Sequence, residues 1–132
     1  MKKIILTAVC IVFLAAQSHA QCTGTGTINF QRWNNITGSA VANLTSNINY
    51  PNNPSSTGTR TTFEMQTNLG SNLGIRMYGY ICPPTTGNYI FWIASDASGE
   101  LWISTNSSPA NKIRRAYNTS STNSRQWNKF AT

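Results

Sequence analysis

Short apolar stretches separated by turn residues most constrain the fold of this chain. In the clearest stretch, residues 88–94, apolar side chains occupy both alternating sets of positions. This is typical of a central strand that is buried on two sides. Asn, Ser and Thr supply 45 of the 112 residues from Gln21 onward, and these side chains compete with helical hydrogen bonds. The pattern therefore predicts an all-β fold.

The remaining segments extend this prediction. Residues 50–61 are rich in Pro, Asn, Ser and Thr, and we expect a long surface loop there. A short helix is predicted only around residues 38–43. Several strands at short spacing favour an antiparallel β-sandwich or barrel. The further strands are predicted at residues 27–33, 62–65, 75–81, 100–104 and 112–117.

Residues 1–20 have the pattern of a secretory signal. Two lysines precede an apolar stretch at residues 4–16, and Ser18 and Ala20 are the small residues of a cleavage site before Gln21. A retained membrane anchor is the alternative, although the stretch is short for a span. We therefore expect one secreted or cell-surface domain at residues 21–132, with no membrane insertion after cleavage.

Cysteine and histidine positions restrict the chemistry. Cys10 and the one histidine, His19, leave with the signal, so Cys22 and Cys82 remain. Two cysteines in an exported chain predict one disulfide, with two free thiols as the alternative. Without histidine, Ser-His-Asp and Cys-His sites cannot form.

The sequence also contains few carboxylates that could act in catalysis. Only Glu64, Asp96 and Glu100 carry carboxylates. A two-carboxylate glycosidase needs a facing pair, and Asp96 and Glu100 flank one tight turn without having to face each other. We predict that the chain is not an enzyme.

The central segment, RMYGYICPPTTGNYIFWIASDASGELWIS at residues 76–104, resembles the protective-antigen-type domain, also called PA-14. The likeness runs from about Gly26 to the last residue. The shared features are the Gly79-Tyr80 step, Pro84, Gly87, the aromatic strand at 89–93, Ser95-Asp96 and residues 101–104, with Asn111-Lys112 and Trp127 further on.

The resemblance implies a β-sandwich or barrel and an extracellular carbohydrate-binding module, found beside glycosidases, proteases, adhesins and toxins. In lectin-like members, two neighbouring aspartates joined by a cis peptide coordinate calcium. Asp96 matches the first, but Ala97 stands at the second position, and a methyl group cannot ligate calcium. The final strands of the family domain also have no counterpart here, so we expect an incomplete domain of a larger protein.

The predicted ligand-binding residues are Asp96, Trp102 and Asn106. Asp96 is a weakened calcium ligand in this interpretation, and a turn-forming aspartate in the alternative one. Trp92 is predicted to lie in the core. Trp102 lies on the face of its strand opposite Leu101 and Ile103, and its ring could stack on a sugar.

Five cations follow residue 111. A solvated face is the favoured interpretation of this cluster, and a patch for an anionic glycan or nucleic acid is the alternative. No nucleic-acid motif accompanies the charge, so no nucleic-acid partner is predicted. The cations are Lys112, Arg114, Arg115, Arg125 and Lys129.

These observations predict a secreted, lectin-like carbohydrate-binding module without catalysis of its own. One alternative is a structural or assembly spacer with no ligand. Another is the N-terminal fragment of a modular glycoside hydrolase or adhesin. The partner expected under the first hypothesis is a glycan or cell-surface polysaccharide.

Overall fold

The computed structural model describes residues 24 and 26–130. The predicted signal at residues 1–20 lies outside this part of the chain. The elements described are β1 (Ile28–Asn34), α1 (Val41–Thr45), β2 (Ser56–Arg60), β3 (Leu73–Tyr78), β4 (Gly99–Ser104), a 3-10 helix (Pro109–Asn111) and β5 (Lys112–Asn118).

The strands form two antiparallel sheets, which confirms the predicted all-β class. Closure into a sandwich or barrel stays a prediction. Within the described residues, no helix is long and apolar enough to cross a membrane.

The larger sheet has the order β2-β1-β3. Its central strand places Phe30 opposite Gly58 on β2 and Met77 on β3. The Phe30 ring occupies the space that a side chain at residue 58 would need, because a Cβ built there would lie 2.7 Å from the ring. Glycine at this position thus lets an aromatic side chain cover the neighbouring strand.

The core lies at the end of β1 and centres on Trp33, which is 1% exposed. Ile36 and Leu44 complete the buried cluster, and the Tyr50 ring lies 5.1 Å from that of Trp33. The Trp33 indole N–H donates a hydrogen bond to the Asn49 carbonyl at 3.1 Å. This bond stabilises the core because a buried indole N–H without an acceptor is unfavourable.

The short helix α1 lies close to the larger sheet. It begins at Val41, within the segment predicted to be helical, and the Asn43 side chain accepts a hydrogen bond from the Ala40 N–H at 2.9 Å. Its buried residue Leu44 approaches β3 so closely that a Cβ at Gly74 would lie 2.5 Å from Leu44 Cδ1. The missing side chain at residue 74 therefore permits this contact.

The smaller sheet pairs β4 with β5. Trp102 lies opposite Arg114 and Leu101 opposite Ala116, so Arg115 is an extra residue at a β-bulge. Both strands lie within one or two residues of their predicted bounds.

The prediction for residues 50–61 was wrong in part, because β2 occupies Ser56–Arg60. The strand predicted at 62–65 is absent, and Phe63 is 55% exposed. Both differences have one cause. The ladder between β1 and β2 ends where Ile28 meets Arg60, and within the described residues no strand pairs with the chain beyond Arg60 on that side.

The predicted central strand at residues 88–94 was also wrong. The structure assigns no strand there, and Ile90 and Trp92 are 73% and 62% exposed. β3 also ends at Tyr78 instead of continuing to residue 81, because its ladder with β1 ends there. Apolar side chains alone do not form a strand, since backbone N–H and C=O groups need a neighbour to pair with.

Candidate functional site

The turn predicted next to Asp96, at residues 95–98, leads directly into β4, which pairs with β5 and not with the preceding segment. It is therefore not a hairpin turn between two paired strands. Its backbone is held by the loop after β5: the Ser95 N–H donates to Thr122 Oγ1 at 3.0 Å, and the Thr122 N–H donates to the Ser95 carbonyl at 2.9 Å.

Asn118 is the buried centre of this arrangement and is 4% exposed. Its amide nitrogen donates to the carbonyls of Ala97 and Ser120 at 3.0 and 2.7 Å. The Ser95 hydroxyl lies 2.9 Å from Asn118 Oδ1. A Cβ at Gly99 would lie 2.5 Å from that hydroxyl, so a glycine suits the start of β4. A buried amide with its polar atoms satisfied fixes the shape of the loop.

Asp96 lies at the exposed surface of this loop. None of the hydrogen bonds found in the described residues involves its carboxylate, so it does not cap the turn as the alternative interpretation predicted. Ser95 and Asn118 fix the loop instead. Ala97 has a φ of +67°, a left-handed conformation that non-glycine residues adopt infrequently.

The donor atoms around Asp96 fit calcium poorly. Calcium takes six to eight oxygen ligands, of which carboxylates are the strongest. No group of three or more His, Cys, Asp or Glu side chains that could hold a metal occurs in the described part of the chain. Among the described residues, the one cis peptide precedes Pro51, not Ala97. Calcium at Asp96 stays a prediction.

Trp102 is fixed by polar contacts and remains exposed. Its indole N–H donates to Glu100 Oε2 at 2.9 Å, and 46% of the residue is exposed. The second carboxylate oxygen of Glu100 accepts a hydrogen bond from Arg114 Nη1 at 2.8 Å. The Arg114 guanidinium also lies 4.5 Å from the ring centroid of Tyr117, which is 57% exposed.

Five residues on one face of β4 and β5 are called the Trp102 face below. The ladder places Glu100 opposite Tyr117, Trp102 opposite Arg114, and Ser104 opposite Lys112, so their side chains share a face. The apolar residues Leu101 and Ile103 lie on the other face, as predicted. The Trp102 face consists of Glu100, Trp102, Lys112, Arg114 and Tyr117.

Asn106 has a local role in its own turn. Its side-chain oxygen accepts hydrogen bonds from the Ser108 N–H at 2.9 Å and from Asn111 Nδ2 at 3.2 Å. These contacts order the turn between β4 and the 3-10 helix. No hydrogen bond among the described residues joins Asn106 or Asp96 to Trp102. Their ligand roles stay predictions.

The other tryptophans differ in how far they are buried. Trp33 lies in the core, whereas Trp127 is 49% exposed. The prediction for Trp92 was wrong, because the strand that was to bury it does not form.

Two members of the predicted basic cluster form ion pairs, Arg114 with Glu100 and Arg125 with Glu64. Arg125 Nη2 lies 2.8 Å from Glu64 Oε2. The hydrogen bond from Arg125 lowers the pKa of Glu64, and the same contact raises the pKa of Arg125. This pair connects the loop after β5 to the segment after β2.

Cys82 is disulfide-bonded. Its predicted partner Cys22 lies outside the described residues, so their pairing stays a prediction.

Sequence reasoning missed the positions of Arg114 and Tyr117 beside Trp102. Strand alternation in 112–117 places residues 112 and 114 on one face, but it assigns Tyr117 to the other. The bulge at Arg115 reverses that assignment for Tyr117. A bulge leaves no clear signal in a single sequence.

The family model for the PA14 domain matches residues 32–126, so the chain belongs to the PA14 domain family. This confirms the resemblance seen in the central segment. PA14 domains commonly bind carbohydrate.

The chain is also 33% identical over 85 residues to a mouse protein, N-acetyl-beta-glucosaminyl-glycoprotein 4-beta-N-acetylgalactosaminyltransferase 1. The match covers 64% of this chain but 8% of the mouse protein. No solved structure matches the chain.

Proposed function

We propose that this protein is a secreted carbohydrate-binding module with no catalysis of its own. The observation that carries the proposal is the exposed Trp102 ring, held by Glu100 on the surface of a PA14 domain. An aromatic ring presents a large, rigid apolar surface on which the C–H face of a sugar can stack. Glu100 and Arg114 beside it offer hydrogen-bonding groups to sugar hydroxyls.

The similarity to the mouse transferase supports a relation to glycans, since its name describes action on a glycoprotein. Because the match covers 8% of that protein, transferase activity is not carried over. The described residues contain no histidine, and two of their three carboxylates are in ion pairs. These facts support binding over catalysis.

The proposal includes export and a place in a larger protein. The signal pattern at residues 1–20 supports secretion or display at the cell surface. A bond from Cys82 to Cys22 would anchor the mature N-terminus to the domain. Asp96 and Asn106 contribute to the ligand site in this proposal, with calcium at Asp96 as an optional component.

A glycan array tests the proposal, with the exported chain applied in calcium and again in EDTA. We expect a specific set of glycans to be bound, and Trp102→Ala to weaken binding by about tenfold or more, as for aromatic anchors in other interfaces. Trp127→Ala is the matched control, because Trp127 is similarly exposed but lies outside the Trp102 face. No bound glycan with folded protein would contradict the proposal.

The second candidate is an assembly spacer without a glycan ligand. It is favoured by the exposed apolar side chains at Tyr89, Ile90 and Trp92, which are 45%, 73% and 62% exposed. Such patches often mark contacts with another protein surface. A double change, Ile90→Ser with Trp92→Ser, would then impair assembly of the host protein and leave any glycan binding intact.

A further inference from the structure

We propose that the Trp102 face binds an acidic sugar, a pyranose bearing a carboxylate or sulfate group, without calcium. The proposal rests on the proposed function, because it assumes that the domain binds glycans. It adds the chemical class of the ligand and assigns the acid group of the sugar to the cations of the Trp102 face. The loop at residues 95–98, called the Asp96 loop, is not required for this contact.

The bulge at Arg115 creates this surface. It brings Tyr117 onto the same face as Trp102 and Arg114, where strict alternation would point Tyr117 to the other side. Two exposed rings thus lie on one face, with Arg114 against Tyr117 and Glu100 bonded to Trp102. Both rings are held by neighbouring polar groups, which reduces the entropy that a ligand must remove.

The charge of this strand is positive. β5 carries Lys112, Arg114 and Arg115, whereas the opposing residues of β4 supply one carboxylate, Glu100. Glu100 engages one nitrogen of Arg114 at 2.8 Å. A guanidinium has five N–H donors in a fork that suits an anionic group, so donors remain for a carboxylate or sulfate.

A groove next to the face provides room for a sugar unit. It measures about 290 Å³, and its lining residues include Glu100, Arg114 and Tyr117 together with Ala40 and Val41. An acid group on the sugar would lie near the cations while its ring lies against an aromatic face.

The Asp96 loop, in contrast to the Trp102 face, would need a bound cation to hold an acidic sugar. Its exposed carboxylate repels an acidic sugar unless a cation lies between them. Binding at Asp96 would therefore need calcium, and binding at the Trp102 face would not. EDTA and salt separate the two sites, because contacts between exposed charges weaken as screening increases.

The experiment is affinity electrophoresis of the exported full chain in gels containing polygalacturonate, dextran sulfate, neutral dextran or polyphosphate, each in EDTA. We expect retardation by the two acidic glycans and none by neutral dextran. Trp102→Ala and Arg114→Gln should each raise the dissociation constant by about tenfold, with a smaller effect for Lys112→Gln. Retardation should decrease in high salt.

The matched control is Arg76→Gln. Arg76 lies 4.8 Å from the Tyr78 ring in the larger sheet, so this change removes the same charge from the same kind of cation–aromatic pair. We expect it to leave retardation close to that of the unchanged chain. Circular dichroism verifies the fold of each variant, and Lys112→Gln remains as a test if Arg114→Gln does not fold.

Three results would overturn the inference. Equal retardation by polyphosphate that persists in Trp102→Ala would show charge attraction without sugar recognition. Glycan binding that needs calcium, is lost in Asp96→Asn and is unaffected by Arg114→Gln would assign the ligand to the loop and leave the proposed function intact. Binding to no glycan in this assay or on the array would remove both proposals.

Discussion

In the larger sheet, the buried side chains at and beside β1 are apolar: Trp33, Ile36 and Leu44. In the smaller sheet, the buried side chain is that of Asn118, and the neighbouring loops are held to it by hydrogen bonds. Apolar burial tolerates little change in shape. A hydrogen-bonded loop instead fixes local geometry at a surface and leaves Trp102 exposed. The first region thus supports the fold, and the second presents the candidate site.

The largest effect should come from the core of the first region. Trp33→Ala should lower the free energy of unfolding by about 3–5 kcal/mol, because it leaves a cavity under β1. Trp102→Ala, at an exposed position, should change it by about 0.5 kcal/mol or less. Urea unfolding followed by circular dichroism measures both. Similar losses in the two variants would mean that the regions do not differ as described.

Close packing between α1 and β3 gives the next test. Gly74→Ala should destabilise the chain by about 1–3 kcal/mol, since its Cβ would press on the buried Leu44. Gly87→Ala is the control, because a Cβ there meets no atom within 4 Å. If thermal or urea unfolding showed equal midpoints for both variants, the contact between α1 and β3 would be looser than the structure indicates.

A smaller and more local effect is expected in the second region. Asn118→Ala removes hydrogen bonds to Ala97 and Ser120 and should cost about 1–2 kcal/mol. Native-state hydrogen exchange should show faster exchange of β4 and β5 amides, with β1 and β3 unchanged. Faster exchange across both sheets would show that the two sheets unfold together. The two regions would then differ in how their side chains pack but not in their local stability.

The smallest effect concerns the ion pair of Glu64 and Arg125. Since Arg125 holds the pKa of Glu64 below its usual value, the pair stabilises the fold above the ordinary glutamate pKa. That contribution is lost as the pH falls through the lowered value. A carbon-13 titration of the Glu64 carboxyl should show the lowered midpoint, and Arg125→Gln should return it to the ordinary range. An unchanged midpoint would mean that solvent screens the pair.

The sequence predicts those elements whose side chains alternate and whose partners lie within the ladder. Strands β1, β4 and β5 follow that pattern, and the PA14 resemblance is confirmed over most of the chain. β2 could not be predicted, because its sequence, STGTR, is typical of a loop. It forms a strand because it pairs with β1, where Phe30 lies opposite Gly58. The strand predicted at residues 88–94 was wrong for the converse reason: the side chains favour a strand, but within the described part of the chain no segment forms a ladder with them.

The candidate site was predicted only at single residues. Trp102 could be placed on the exposed face from alternation, and its exposure agrees. Its neighbours Arg114 and Tyr117 depend on a register shift at Arg115, which is set by pairing between distant strands. Asp96 and Asn106 are predicted from the resemblance or from their position in the sequence. Neither the resemblance nor the position indicates which atoms the two side chains contact.

The bulge has a consequence for how copies of this protein meet in concentrated solution. In the described residues β5 pairs with β4 alone, so one edge of it offers unpaired backbone groups to another chain. A bulge interrupts the regular spacing that a second strand would need, and Lys112, Arg114 and Arg115 would meet like charges in an identical strand. The same irregular, cationic strand that pairs with the strand of Trp102 therefore protects the sheet against edge-to-edge aggregation.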